Sequence, residues 1–185
     1  MKRLLLLVIA LLTALSLSSC RELFITVDMN IKNYETRRSE IAYADEVMPP
    51  LDEVGDYTGA SYSYMKNSLI FDVESIALFL DYGAAEYTAE KEAALAKYSF
   101  NDPKVIKNDI PAPMLDYNGY FMQAISASDY TDTCKAFGYV GYNDAACSMV
   151  YVYFYDPDLD YIAEDTEDIN EAMRDYIDSF ILWNE

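Results

Sequence analysis

The chain has 185 residues, with 32 acidic against 13 basic side chains, a formal net charge of −19 and 52% hydrophobic residues. That apolar share is too high for a disordered chain and fits one ordinary domain. The absence of histidine excludes a Ser-His-Asp or Cys-His catalytic group, a histidine general base and an imidazole zinc site, and the acidity disfavours nucleic acid and anionic lipid headgroups as partners.

The chain opens with Lys2 and Arg3, followed by an apolar run from Leu4 to Leu15 broken only by Thr13. This run has the length of a signal-peptide core and falls short of the roughly 20 apolar residues that span a bilayer. Leu17-Ser18-Ser19-Cys20 comes next. Together these residues resemble a bacterial lipoprotein signal peptide, whose lipobox is an aliphatic residue, two small residues and a cysteine. The resemblance implies that Cys20 receives a diacylglycerol and that residues 1–19 are removed. The mature chain, 20–185, would be a single extracytoplasmic domain anchored to the cytoplasmic membrane or to an outer membrane. An ordinary secretory signal is the alternative. Two or three acyl chains, at about 0.8 kcal/mol per buried CH₂, suffice for stable anchoring. Cleavage removes Lys2 and Arg3 but no acid, so the mature chain is the more acidic.

Ile25, Val27, Met29 and Ile31 alternate with Thr26, Asp28 and Asn30, the period of a strand with one wet face. Tyr34 to Met48 is helix-compatible and is stopped by Pro49-Pro50. Tyr57 to Met65 and Ser75 to Tyr82 read as strands, and Ala85 to Tyr98 as a helix with Tyr87, Ala94, Leu95 and Tyr98 on one side. Asn101 to Pro113 holds three of the six prolines and reads as a loop. Tyr120 to Ala127 is a predicted strand, and Phe137 to Tyr142 with Ala146 to Tyr155 forms a hairpin turning at Gly141-Tyr142-Asn143-Asp144. In its second arm Val150, Val152 and Phe154 face one way and Met149, Tyr151, Tyr153 and Tyr155 the other, as a covered central strand requires. Thr166 to Trp183 is an amphipathic helix with Asp165 or Thr166 as its N-cap and Ile169, Met173, Tyr176, Ile177, Phe180 and Ile181 as its stripe. The fold class is α+β: an antiparallel sheet packed by amphipathic helices in a single domain.

Four features could carry chemistry or binding. Ser63-Tyr64-Met65-Lys66 has the spacing of serine acyl enzymes, but it reads as a strand where that chemistry needs a helical turn. Cys134 and Cys147 lie in a compartment that permits a disulfide, and two buried free thiols are the alternative. Tyr62 with Tyr64, and Tyr151 with Tyr153 and Tyr155, share a sheet face within each set. They are either a surface on which sugar rings stack or core residues with each hydroxyl at a polar edge. Asp156, Asp158, Asp160, the Ile162 carbonyl, Glu164 and Glu167 fall at positions 1, 3, 5, 7, 9 and 12 of a loop resembling the EF-hand calcium loop, although Tyr161 replaces the turn glycine. The same residues also suit a solvated acidic turn before the last helix. Calcium is the one cofactor this pattern admits. The expected function is a non-catalytic binding or interaction module, held at the membrane through the Cys20 lipid, with an envelope protein or glycan as partner. The alternative is a carbohydrate-binding lipoprotein that uses a tyrosine face. A hydrolase with two carboxylates ranks third.

Overall fold

The computed structural model describes residues 24–68, 72–98, 100, 113–126, 135–157 and 168–183. They build one seven-stranded antiparallel sheet with helices, an α+β arrangement in which sheet predominates. The strands in chain order are β1 (Ile25–Asp28), β2 (Tyr57–Asn67), β3 (Val73–Tyr82), β4 (Met114–Tyr117), β5 (Tyr120–Ser126), β6 (Lys135–Asn143) and β7 (Ser148–Asp156). Across the sheet they run β1-β2-β3-β7-β6-β5-β4. Among the described residues the α-helices are α1 (Tyr34–Glu40), α2 (Ala84–Lys97) and α3 (Ile169–Phe180).

The middle position suits β7 because both of its faces are apolar. Met149, Tyr151 and Tyr153 enter the core on one side of the sheet, Val150, Val152 and Phe154 on the other, and none of the six is more than 3% exposed. An edge position would leave much of this surface in water, at about 25 cal/mol per Å².

On the first face, Tyr62, Tyr64, Ile76, Leu78, Leu80, Tyr151 and Tyr153 pack with Tyr34 of α1, Tyr87 and Ala94 of α2, and Ile41, Ala44, Val47 and Met48. The expected helix from Tyr34 to Met48 stops at Glu40. Beyond it the chain turns back through Tyr43, at φ 61°, into a 3-10 turn at Ala44–Glu46. Folding back places Ile41, Ala44, Val47 and Met48 against the sheet, where a straight helix would carry them past it. This irregular stretch makes few ladder bonds, and tyrosines serve its carbonyls instead. The hydroxyls of Tyr34, Tyr98 and Tyr153 donate to the Pro49, Val47 and Ala42 carbonyls at 2.6, 2.9 and 2.7 Å, which meets the backbone requirement. On α2, Tyr87 and Ala94 are buried but Leu95 is 38% exposed, so the apolar side is narrower than its sequence suggests.

On the second face Met173, Ile177 and Ile181 are buried against Ala77, Phe137, Val150, Val152 and Phe154. The Tyr176 ring packs on Phe154 and Phe137 at centroid distances of 5.2 and 6.1 Å. The N-cap is Asp168, not Asp165 or Thr166: its Oδ1 accepts from the Asn170 and Glu171 N–H groups at 3.1 and 3.0 Å.

Two turns differ from expectation. Strand β4 is an addition to the elements expected from the sequence; it joins β5 through Asn118-Gly119, at φ 49° and 79°, the left-handed pair of a two-residue hairpin. The β6–β7 turn begins two residues past Gly141, because Gly141 stays in the ladder opposite Val150 while Asn143 Oδ1 accepts from the Ala145 and Ala146 N–H groups at 3.1 and 3.0 Å.

Candidate binding cleft

The register brings three polar side chains into line at one end of the second face. Asp81 of β3 is paired with Ser148 of β7, and Ser148 with Asn143 of β6. Adjacent strands lie about 4.8 Å apart, so this row crosses roughly 10 Å of sheet. Phe79 lies one alternation inward from Asp81 on the same face, and Tyr120 lies beside Asn118-Gly119. After α3 ends at Phe180, the chain brings Trp183 over this end of the sheet. The result is a cleft of about 530 Å³ lined by Phe79, Asp81, Asn118, Tyr120, Asn143, Ala146, Ser148 and Trp183.

Its walls are held by contacts that fix each ring. The indole of Trp183 meets Phe79 at 5.4 Å and 63°, Tyr117 at 5.3 Å and 81°, and Tyr120 at 6.2 Å and 34°. Tyr117 in turn donates its hydroxyl to Asp178 of α3. Gly141 makes room for this packing: a Cβ there would stand 2.7 Å from Val150 Cγ1 and 2.9 Å from Met122 Cγ. Gly119 is needed twice over, for its φ of 79° and because a Cβ would approach Asn143 Nδ2 to 3.0 Å.

The polar groups are arranged for binding. With Asn143 Oδ1 taken by the turn, its Nδ2 remains a donor on the cleft side. The Ser148 hydroxyl donates to Tyr120 Oη at 3.2 Å, leaving the Tyr120 O–H free to donate in its turn. Burial raises the Tyr120 phenol above its usual range and the nearby Asp81 charge adds to this, so Tyr120 stays protonated at neutral pH and supplies Ser148 with no base. Asp81 is the one carboxylate among the described residues lining the cleft, and glycoside hydrolysis by a carboxylate pair needs two.

The residues singled out in the sequence lie elsewhere. Tyr151 and Tyr153 are 3% and 0% exposed on the first face and Tyr155 is half-buried, which corrects the expectation of an open tyrosine face on β7: α1, α2 and the 41–50 segment cover it. Tyr62 is fully buried, and Tyr64 donates to Glu74 Oε1 at 2.8 Å. Ser63 and Lys66 are three apart on one strand and so point to opposite faces; Lys66 pairs with Asp72 and Glu74. Of the calcium loop, Asp158, Asp160, Ile162, Glu164 and Glu167 lie outside the described residues. Asp156 is 6% exposed and its Oδ2 accepts the Tyr176 hydroxyl at 3.1 Å. Among the described residues no three His, Cys, Asp or Glu side chains converge on a metal position.

Cys20 and Cys134 are likewise outside the described residues. Lys135, next to Cys134, pairs with Asp156, whereas Cys147 follows the turn at the other end of the hairpin, where Asn143 pairs with Ser148. Eight residues of strand, at about 3.3 Å each, separate those ends, against the 7 Å or so that a disulfide bridges. The register therefore gives a Cys134–Cys147 bond no support. Among the described residues no helix is long and apolar enough to cross a membrane.

No family model matches the chain, and no solved structure matches it. An 84-residue stretch is 36% identical to probable manganese-dependent inorganic pyrophosphatases of Lactobacillus gasseri and Lactobacillus johnsonii. This stretch covers 44% of the chain and 24% of each curated protein, so the likeness spans about a quarter of their length.

Proposed function

We propose that this chain is a lipid-anchored extracytoplasmic protein of a bacterial envelope that acts as a binding module, with the Trp183 cleft as its ligand site. The cleft is the observation that carries the binding role. It combines aromatic walls, a row of polar groups across three strands and a rigid sheet floor, the usual makeup of a small-ligand site, and its one serine hydroxyl donates to Tyr120. Support for the anchor comes from the first twenty residues, where basic start, apolar run and Leu17-Ser18-Ser19-Cys20 agree. The partial likeness to pyrophosphatases reaches a quarter of those proteins. The partner is an envelope protein that projects a side chain into the cleft, or a glycan.

Replacing Cys20 with Ala tests the anchor. Wild-type protein is expected in the membrane fraction and to incorporate labelled palmitate, and Cys20→Ala to appear in the soluble fraction without label. No label in the wild type, or undiminished label in Cys20→Ala, would sink the lipobox reading.

A further inference from the structure

We infer that the Trp183 cleft binds a compact organic cation, a quaternary ammonium or a protonated amine, with Asp81 as counter-charge and Phe79, Tyr120 and Trp183 as the aromatic walls. This rests on the reading of the cleft as the ligand site and names the chemistry that site takes.

Charge decides the sign. Asp81 is the only charged side chain among the described lining residues, and it forms no ion pair among the described residues. An anionic ligand would meet this carboxylate inside the field of a chain carrying −19, whereas a cation is drawn in by both. Ring geometry then separates a cation from a neutral sugar. A sugar stacks on one open ring face. Here the lining rings Phe79 and Tyr120 stand at 63° and 34° to the indole, so the walls form no single flat platform. Tryptophan is the strongest of the aromatic acceptors for a cation. Phe79 and Asp81 share one face of β3, so a headgroup at the rings lies beside the carboxylate. The Asn143 amide and the Tyr120 hydroxyl remain to donate to an oxygen on the body that bears the cation. At about 530 Å³ the cleft has room for that body.

Trp183 is the only tryptophan in the chain, so intrinsic emission reports on the cleft directly. The full chain in detergent is titrated with choline, with n-butylammonium, with 3,3-dimethylbutan-1-ol as the uncharged isostere of choline, and with glucose. The expected result is a saturable emission change with a cation, at least about tenfold weaker with the alcohol. Asp81→Asn should weaken the cation by a similar factor and leave the alcohol unchanged, with its melting curve as the check on folding. An alcohol as strong as choline, or cation binding indifferent to Asp81→Asn, overturns the cation assignment. Saturation by glucose with no cation response overturns it while leaving the cleft a binding site. No saturable response to any of the four overturns both.

Discussion

Tyr34, like Tyr153, ties a buried ring to a backbone carbonyl. Its ring is fully buried, 5.8 Å from that of Tyr62, and its hydroxyl reaches the Pro49 carbonyl. Burial holds its phenol far above the ordinary range, so it serves as a neutral donor at every accessible pH. Tyr34→Phe keeps the ring and orphans the carbonyl, and is expected to cost about 1–3 kcal/mol in a denaturant melt. Asp28 is a different kind of residue. Its carboxylate accepts from the Asn30 N–H at 2.9 Å, Asn33 Nδ2 at 2.9 Å and Arg37 Nε at 3.4 Å, tying β1 to the helix beyond it. Partial burial alone would raise its pKa, but these hydrogen bonds outweigh it and hold the carboxyl down at about 2. A folded-state pKa below the unfolded value of about 3.9 means that the contribution is fully present above that value and fades as pH falls through 2. Asp28→Asn should therefore be less stable than wild type by about 1 kcal/mol at pH 7, allowing for solvent screening. Melts at pH 7, 4 and 2 should show that gap closing, and a gap independent of pH would refute the ionic role.

At the level of elements, the ends of α3 and of the β4–β5 hairpin rest on single residues. Asp168→Ala removes the acceptor for two N–H groups at the start of α3 and should lower stability by about 1 kcal/mol. Gly119→Ala forces a side chain into a left-handed backbone and against Asn143, so it should both destabilise the fold by about 1 kcal/mol and alter Trp183 emission. Strand periodicity made β1, β2, β3, β5, β6 and β7 legible in the sequence, and the two apolar faces of Val150 to Phe154 announced a central strand. Strand β4 escaped because Met114–Tyr117 is only four residues long, although Asn118-Gly119 is itself a hairpin signal. The cleft was not legible at all. Asp81, Ser148 and Asn143 are brought into line by strand register, and β3, β7 and β6 are not consecutive in that order along the chain. The tyrosines of β2 and β7 share faces within each set, as alternation requires, but alternation does not say which face a helix covers.

At the scale of the molecule, β7 is the only strand among the described residues that pairs with both β3 and β6. Without it the sheet is two three-stranded pieces, β1–β3 and β4–β6, with no ladder between them. A chain ending at Cys147 should accordingly show no cooperative thermal transition, while the full chain melts in one step; a cooperative melt of the shorter chain would show that the pieces associate on their own. Strand order thus sets a clock as well as a shape. The joining strand is the last of the seven to be made, at Ser148–Asp156 of a 185-residue chain. Until it emerges from the ribosome each half keeps an open edge and an uncovered apolar face, and long-range pairing is slow in any case. Under the proposed lipoprotein reading, in which the chain crosses a membrane as an extended thread, that delay keeps the six preceding strands threadable.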